Sequence, residues 1–289
     1  MTMSETTEPD LAAPEPTTVE ADARRVGIGG RPGPSRLSQI RVPDAIVSLA
    51  VGGILWEILA RLLDANAFPP LSDVLARLWE MIQDGLIVES LGFSLVNLTI
   101  GFAISLSAGL IVGTMMGWYP RVEAAFSMYA YALLTAPSLV FAPVFFSLFG
   151  DGRQSIVGVV VMYSTFVMMI TTADAVKSVA PSMVEMGRSF GASPTTALFR
   201  IVIPAAVPGI MAGVRLGAGR AVTGMINGEM FIAVVGLGRV VTDAGGRFDS
   251  TSVLAVLIVI VGIALVVVGS VQMVDRRLTS WLPDSARQS

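Results

Sequence analysis

Residues Ser90–Tyr119 read SLGFSLVNLTIGFAISLSAGLIVGTMMGWY, a run without a single Asp, Glu, Lys or Arg. A helix needs about 20 apolar residues to cross the hydrocarbon of a bilayer, and this run exceeds that length. A surface helix of a soluble domain would show a polar face instead. Three more charge-free runs obey the same rule: Ala124–Gly150, Gln154–Ala173 and Ser250–Val274. Two others are interrupted: Asp44–Leu63 carries Glu57 and Arg61, and Val202–Val235 carries Arg215, Arg220 and Glu229. The pattern predicts an all-α polytopic membrane protein with six transmembrane helices.

Composition agrees and narrows the chemistry. Of 289 residues 53% are hydrophobic and 14% charged, where a soluble domain carries about 25% charged residues. Cysteine and histidine are both absent. That excludes disulfides, thiol nucleophiles, imidazole bases and Cys/His metal sites. Lys177, the only lysine, follows Val176, so the chain has no Gly-Lys-Ser/Thr phosphate loop. Any ATP and Mg that the protein uses must be bound by a partner chain. No cofactor is expected in this one, nor a nucleic-acid partner.

Residues 1–40 are rich in Pro, Thr and Glu, then in Arg and Gly. They hold too few large apolar side chains to offset the entropy of ordering, which predicts a disordered cytoplasmic tail. An acidic start without an apolar h-region argues against a signal peptide. The six-helix domain spans 41–283, and 284–289 form a short C-terminal tail. With six spans and an inner N-terminus, most basic residues fall on the side of both termini, including Arg24, Arg25, Arg121, Arg188, Arg200 and Arg276. The positive-inside rule therefore places both termini in the cytoplasm.

Between the first two spans, Ser72 is positioned to cap a helix starting at Asp73. Val74, Leu75, Leu78, Trp79 and Ile82 form its apolar face. Too short to span, it is either an outer interfacial helix with Trp79 as anchor or a packing helix. Glycines recur every four residues in two spans, Gly109-Gly113-Gly117 and Gly209-Gly213-Gly217. Small residues at that spacing let helix backbones approach, so these read as packing seams. Pro137 and Pro143 in the third span, with Pro204 and Pro208 in the fifth, kink or start helices.

The loop 177–204, between the fourth and fifth spans, is too polar to cross and too patterned for a plain linker. Pro181 can open a helix. Met183, Met186 and Phe190 then share one apolar face, and Gly191 permits a sharp turn. Ser193-Pro194 start a second short helix, Thr195–Ile201, and Pro204 leads into the next span. A helix–turn–helix on the cytoplasmic face follows, with an apolar surface offered to a partner.

Glu185, Gly191, Ile201 and Pro204 resemble, at matching spacing, the E-A-A-x3-G-x9-I-x-L-P loop of permease subunits of bacterial binding-protein-dependent ABC importers. Met186 and Gly187 replace the two alanines and Ile203 the leucine. A glycine inside the first helix weakens it by about 1 kcal/mol relative to alanine. The segments Phe68–Leu75, Gly213-Val-Arg215, Gly228-Glu229-Met230 and Gly236-Leu-Gly238 are similar to the nitrate/sulfonate/taurine branch. The resemblance covers residues 44–282. It implies a six-span, non-catalytic permease of the inner membrane, paired with a second permease copy. Cytoplasmic ATPase subunits would dock on Glu185, Met186, Gly187, Phe190, Gly191, Ile201 and Pro204, and a solute-binding protein would act outside.

In the fifth span Arg220, Thr223 and Asn227 fall on one stripe at about 100° per residue, beside the glycine seam. These residues and Glu229 are the candidates for the translocation path, with Arg220 facing a small anionic solute. The alternative is structural: Arg220 satisfies a carbonyl or a carboxylate of another span, such as Glu57. Arg215 is expected to snorkel to the cytoplasmic end. A stand-alone secondary carrier or channel would explain the spans and intramembrane arginines but not the loop. A membrane-embedded enzyme would need converging acids or bases, which Asp44, Glu57 and Glu229 do not supply.

Overall fold

The structure, a computed structural model, describes residues 42–63, 68–232 and 235–280. The expected tails 1–40 and 284–289 lie outside these residues. The chain falls into two units, Met1–Leu55 and Trp56–Ser289. In the first, residues 42–55 are helical and form the start of α1 (Val42–Leu63).

The second unit is helical throughout, with no strand among the described residues. The end of α1 is followed by α2 (Leu71–Gln83), α3 (Leu86–Trp118), α4 (Pro120–Thr135), a 3-10 turn (Ser138–Phe141), α5 (Ala142–Phe149) and α6 (Arg153–Lys177). Then come α7 (Pro181–Ser189), α8 (Pro194–Ala197), a π turn (Leu198–Val202), α9 (Ile203–Ile232), α10 (Gly236–Gly246) and α11 (Ser250–Leu278). Four helical stretches among the described residues are long and apolar enough to cross a membrane: Leu86–Trp118, Arg153–Lys177, Pro194–Phe231 and Ser250–Leu278.

The third expected span, Ala124–Gly150, is not one helix. The pair α4 and Ser138–Phe149 is bent by 99°. Pro137 explains the break, because its ring disfavours a helical conformation at the residue before it. Ala136 accordingly sits at φ −61°, ψ 140°, extended rather than helical. The chain resumes through the 3-10 turn, and Pro143 falls in the first turn of α5, where its missing N–H costs nothing. Against six continuous spans expected from the sequence, the described residues hold the four above plus this bent pair as a candidate fifth.

Helix α6 is the spine. It packs along both α3 and α9, and both glycine seams face it. A Cβ on Gly113 would lie 2.5 Å from the Met169 carbonyl oxygen, and one on Gly213 2.0 Å from Thr171 Oγ1. Only glycine allows backbones this close. The inward side of α3 is a stripe of small or polar residues, Ser90, Ser94, Asn97, Gly101 and Ser105, all buried. Its outward side carries Phe93, Val96, Ile100 and Ile111, exposed as lipid would require.

Helix α2 packs by one face and leaves apolar side chains exposed on the other. Val74 and Met81 are buried in the cluster that includes Ala255 and Val256 of α11. Leu75 and Trp79 stay 48% and 61% exposed. Ser72 does not cap it. The helix starts at Leu71, and Glu57 of α1 accepts from the Ser72 N–H at 3.1 Å and from its hydroxyl at 3.0 Å. A carboxylate from the preceding helix thus satisfies an orphan first-turn donor and complements the helix dipole.

Candidate coupling loop and translocation face

The loop after α6 is two short helices joined at a tight turn. Pro181 occupies the first turn of α7. The helix ends in a Schellman motif: the Ala192 N–H donates to the Gly187 carbonyl at 3.0 Å and the Gly191 N–H to that of Arg188 at 2.9 Å. Gly191 holds the left-handed conformation this motif requires, at φ 84°. Ser193 then caps α8, accepting from the Thr196 N–H at 3.2 Å, with Pro194 in the first turn.

The second short helix is not separate from the span that follows. It runs through the π turn Leu198–Val202 into α9 as one stretch, Pro194–Phe231. The Pro204 ring would press on the carbonyl four residues back, and a widened turn at that point relieves it. The loop is therefore rigidly joined to the fifth span. Leu198 and Val202 are buried with Ala175 and Val176 of α6, which fixes its base.

Its free side is apolar. Met183, Met186 and Phe190 are 43%, 61% and 86% exposed, and Glu185 is exposed beside them. Phe199 of the π turn, which sequence reasoning did not single out, is also exposed, at 66%. Gly187 and Ile201 are half-buried instead: they pack against one another and join the two arms. Pro204 is exposed at the start of α9. A cleft of about 510 Å³ separates the loop from the ends of α3 and α6, between Trp118, Lys177, Val184 and Arg188.

The stripe on α9 divides. Arg220 and Thr223 are exposed. Arg220 has no hydrogen bond or ion pair among the described residues. It sits between Gly217 and Gly224, whose backbones press on Met168 and Tyr163 of α6. Glu57 is not its partner, being held by Arg61 at 2.6 Å. Asn227 donates to the Tyr163 hydroxyl at 2.8 Å, so α6 contributes a phenol to the same face. Nothing in the sequence linked Tyr163 to Asn227. Arg215 does not snorkel free but pairs with Asp275 of α11 at 3.2 Å.

Glu229 points elsewhere. Its side chain is fully enclosed, and its Oε2 accepts from the Ser94 hydroxyl at 2.8 Å and the Gly238 N–H at 3.1 Å. Asn97 Nδ2 donates to Oε1 at 3.3 Å. Sequence reasoning missed Ser94 and Asn97. Their spacing on one face of a charge-free helix was the signal, since a polar stripe in a span marks its protein-facing side.

Helices of this length around a glycine-packed centre, with a helix–turn–helix emerging between two of them, make a polytopic helical membrane fold. Residues 105–280 match the family of binding-protein-dependent transport system inner membrane components, and the chain belongs to that family. It is 28% identical to the taurine transport system permease protein TauC of Escherichia coli, covering 83% of this chain and 90% of that one. It is 24% identical to the nitrate import permease protein NrtB of Synechococcus elongatus, over 82% and 87%. The formylaminopyrimidine transport permease protein ThiX of Halalkalibacterium halodurans is 26% identical, over 79% and 91%. The fold is similar to that of the MetNI methionine ABC transporter in inward-facing conformations, with a TM-score of 0.53, 18% identity and coverage of 67% and 94%. The protein is thus a permease of the ABC importer class, a transport component rather than a catalytic one.

Proposed function

We propose that this chain imports a small anionic solute of the sulfonate, taurine or nitrate kind and is driven by a separate ATPase that docks on the loop 181–204. The observation that carries this reading is the exposed apolar surface of Met183, Met186 and Phe190, held rigid by the turn at Gly191 and continuous with α9. Nucleotide-driven closure of the ATPase would push on α7, and the unbroken path into α9 would pass that motion to the helix bearing Arg220. ATP and Mg belong to the ATPase, because no phosphate loop exists here. Two permease copies enclose the path, with lipid on the outer surfaces of the spans and a solute-binding protein delivering from outside.

The test is Glu185→Arg or Gly191→Pro in the reconstituted transporter. Both variants should insert normally and lose transport. Retention of solute-stimulated ATP hydrolysis by either would defeat the docking assignment. A stand-alone carrier or channel would use the unpartnered Arg220 equally well, but it leaves the exposed loop without a purpose.

A further inference from the structure

Glu229 has no cation within ion-pair range among the described residues; the ion pairs there lie elsewhere. A carboxylate enclosed in a membrane protein is costly unless its oxygens are taken up. Here neutral donors from two other helices do this. Ser94 and Asn97 come from α3, and the Gly238 N–H from the first turn of α10, where backbone donors are otherwise unsatisfied. The Ser94 hydroxyl in turn accepts from the Leu237 N–H at 3.0 Å. Helix α10 therefore begins directly on the α9 carboxylate.

The glycines around it have one shared reason. A Cβ on Gly236 would lie 2.3 Å from the Glu229 carboxyl carbon, and one on Gly238 2.5 Å from the Glu229 Cβ. Gly236 also sits at φ 81°. The Gly-Leu-Gly segment is shaped to close over this one side chain. Leu237 between them is fully buried, in the same cluster as Leu98 and Met225, so its side chain seals the junction.

We propose that Glu229 is a positioning residue of the transport cycle. It fastens α10 to the path helix α9 and to α3, so that the three ends remote from the coupling loop move as one body. The inference rests on the reading of α9 as the path helix. It assigns Glu229 to the frame that carries the path rather than to contact with solute, and it makes α10 a moving wall.

The chain has no cysteine, so spin labels can be placed without background. Val88→Cys on α3 (61% exposed), Met230→Cys on α9 (39% exposed) and Gly245→Cys on α10, where a side chain meets open space, supply the sites. Pulsed electron-spin distances Val88–Gly245 and Met230–Gly245 are measured on the assembled transporter, nucleotide-free and vanadate-trapped. The distances within one copy, isolated by mixing labelled with excess unlabelled permease, should be narrow and the same in the two states. Glu229→Ala should broaden both, and Glu229→Gln, which keeps an acceptor for Gly238, should restore them. If Glu229→Ala does not insert, Gly236→Ala, whose Cβ would meet the carboxylate itself and displace it without removing it, should broaden them in its place. A shift of either wild-type distance on trapping, or distributions as narrow as wild type in Glu229→Ala or its substitute, would overturn the proposal. The nucleotide-free comparison of variants needs no ATPase coupling, so failure of the docking assignment leaves that arm readable.

Discussion

A Cβ on Gly187 would lie 2.3 Å from Cδ1 of Ile201. Gly187 stands where the resembling family loop carries alanine, and its isolated effect is to weaken α7 by about 1 kcal/mol. The structure supplies a compensating reason. The isoleucine tip lies in the space an alanine methyl would fill, and this contact joins the two arms of the loop. Glycine and isoleucine here are a matched pair.

Gly187→Ala is therefore expected to gain little. The propensity gain of about 1 kcal/mol is offset by driving Ile201 off its rotamer, at a cost of order 0.5–1.5 kcal/mol. Removing the colliding methyl as well, in Gly187→Ala with Ile201→Val, should release the gain. Thermal unfolding of the four forms in a double-mutant cycle measures the coupling. Additive effects would show that the two side chains do not compete for one space.

Phe248 is the second place where local geometry and residue type disagree. Helix α10 ends in the same motif as α7: the Asp249 N–H donates to the Ala244 carbonyl at 3.0 Å and the Phe248 N–H to that of Gly245 at 3.0 Å. The left-handed position is Gly191 in one and Phe248, at φ 57°, in the other. A left-handed side-chain-bearing residue costs roughly 1–2 kcal/mol, and Phe248 is 91% exposed, so no packing offsets it. Phe248→Gly should raise the melting temperature, a net gain of about 0.5–1 kcal/mol after the greater chain entropy of glycine. A lower melting temperature would mean that the phenyl ring makes a stabilising contact in the membrane or the assembly.

The sequence made some of this legible and hid the rest for physical reasons. Charge-free runs and glycine seams report directly on burial in lipid and close helix approach, so α3, α6, α9 and α11 and the two packing seams could be read, but not that both seams meet α6. The break at Ala136 could not be placed, because a proline in an apolar run either kinks a helix or ends it. The continuity of α8 with α9 was also hidden, since a proline at position 204 can open a new helix as readily as it can follow a widened turn in a continuous one. At the candidate site, Gly191 and the Met183-Met186-Phe190 face were legible from local spacing. Tyr163 with Asn227, and Ser94 with Glu229, join residues far apart in the chain, and a single sequence carries no sign of such pairs.

The cap of α11 gives a pH-dependent prediction. Asp249 accepts from the Ser252 hydroxyl at 2.6 Å and the Ser252 N–H at 3.0 Å. The hydroxyl first, then the amide, hold its carboxyl below the usual carboxylate value. A lowered native pKa means the unfolded chain binds the proton more readily. The stabilisation is then full above the unfolded pKa of about 3.9 and is lost as pH falls through the native value. Asp249→Ala should cost about 1 kcal/mol at neutral pH, and the gap from wild type should narrow only at acid pH. A gap that stays constant into strong acid would show that the carboxylate charge contributes nothing to the cap.

Arg220 carries the prediction on solute. A guanidinium at mid-span facing lipid costs roughly 2.5–3.5 kcal/mol, and no group among the described residues offsets that. The face it lies on is built: Thr223 stands one turn along, and Asn227 is fixed by Tyr163 at 2.8 Å. On the proposed function, a water-filled path enclosed between two permease copies would remove the cost and give the charge a use. A charge-assisted hydrogen bond contributes about 1.5–3 kcal/mol, so Arg220→Gln should lower uptake of an anionic solute by about 10- to 100-fold. Assembly with the ATPase and solute-independent hydrolysis should be unchanged. Tyr163→Phe, which frees Asn227 without removing charge, should have the smaller effect. Wild-type uptake by Arg220→Gln, or a natural solute that is neutral or cationic, would return Arg220 to a structural role.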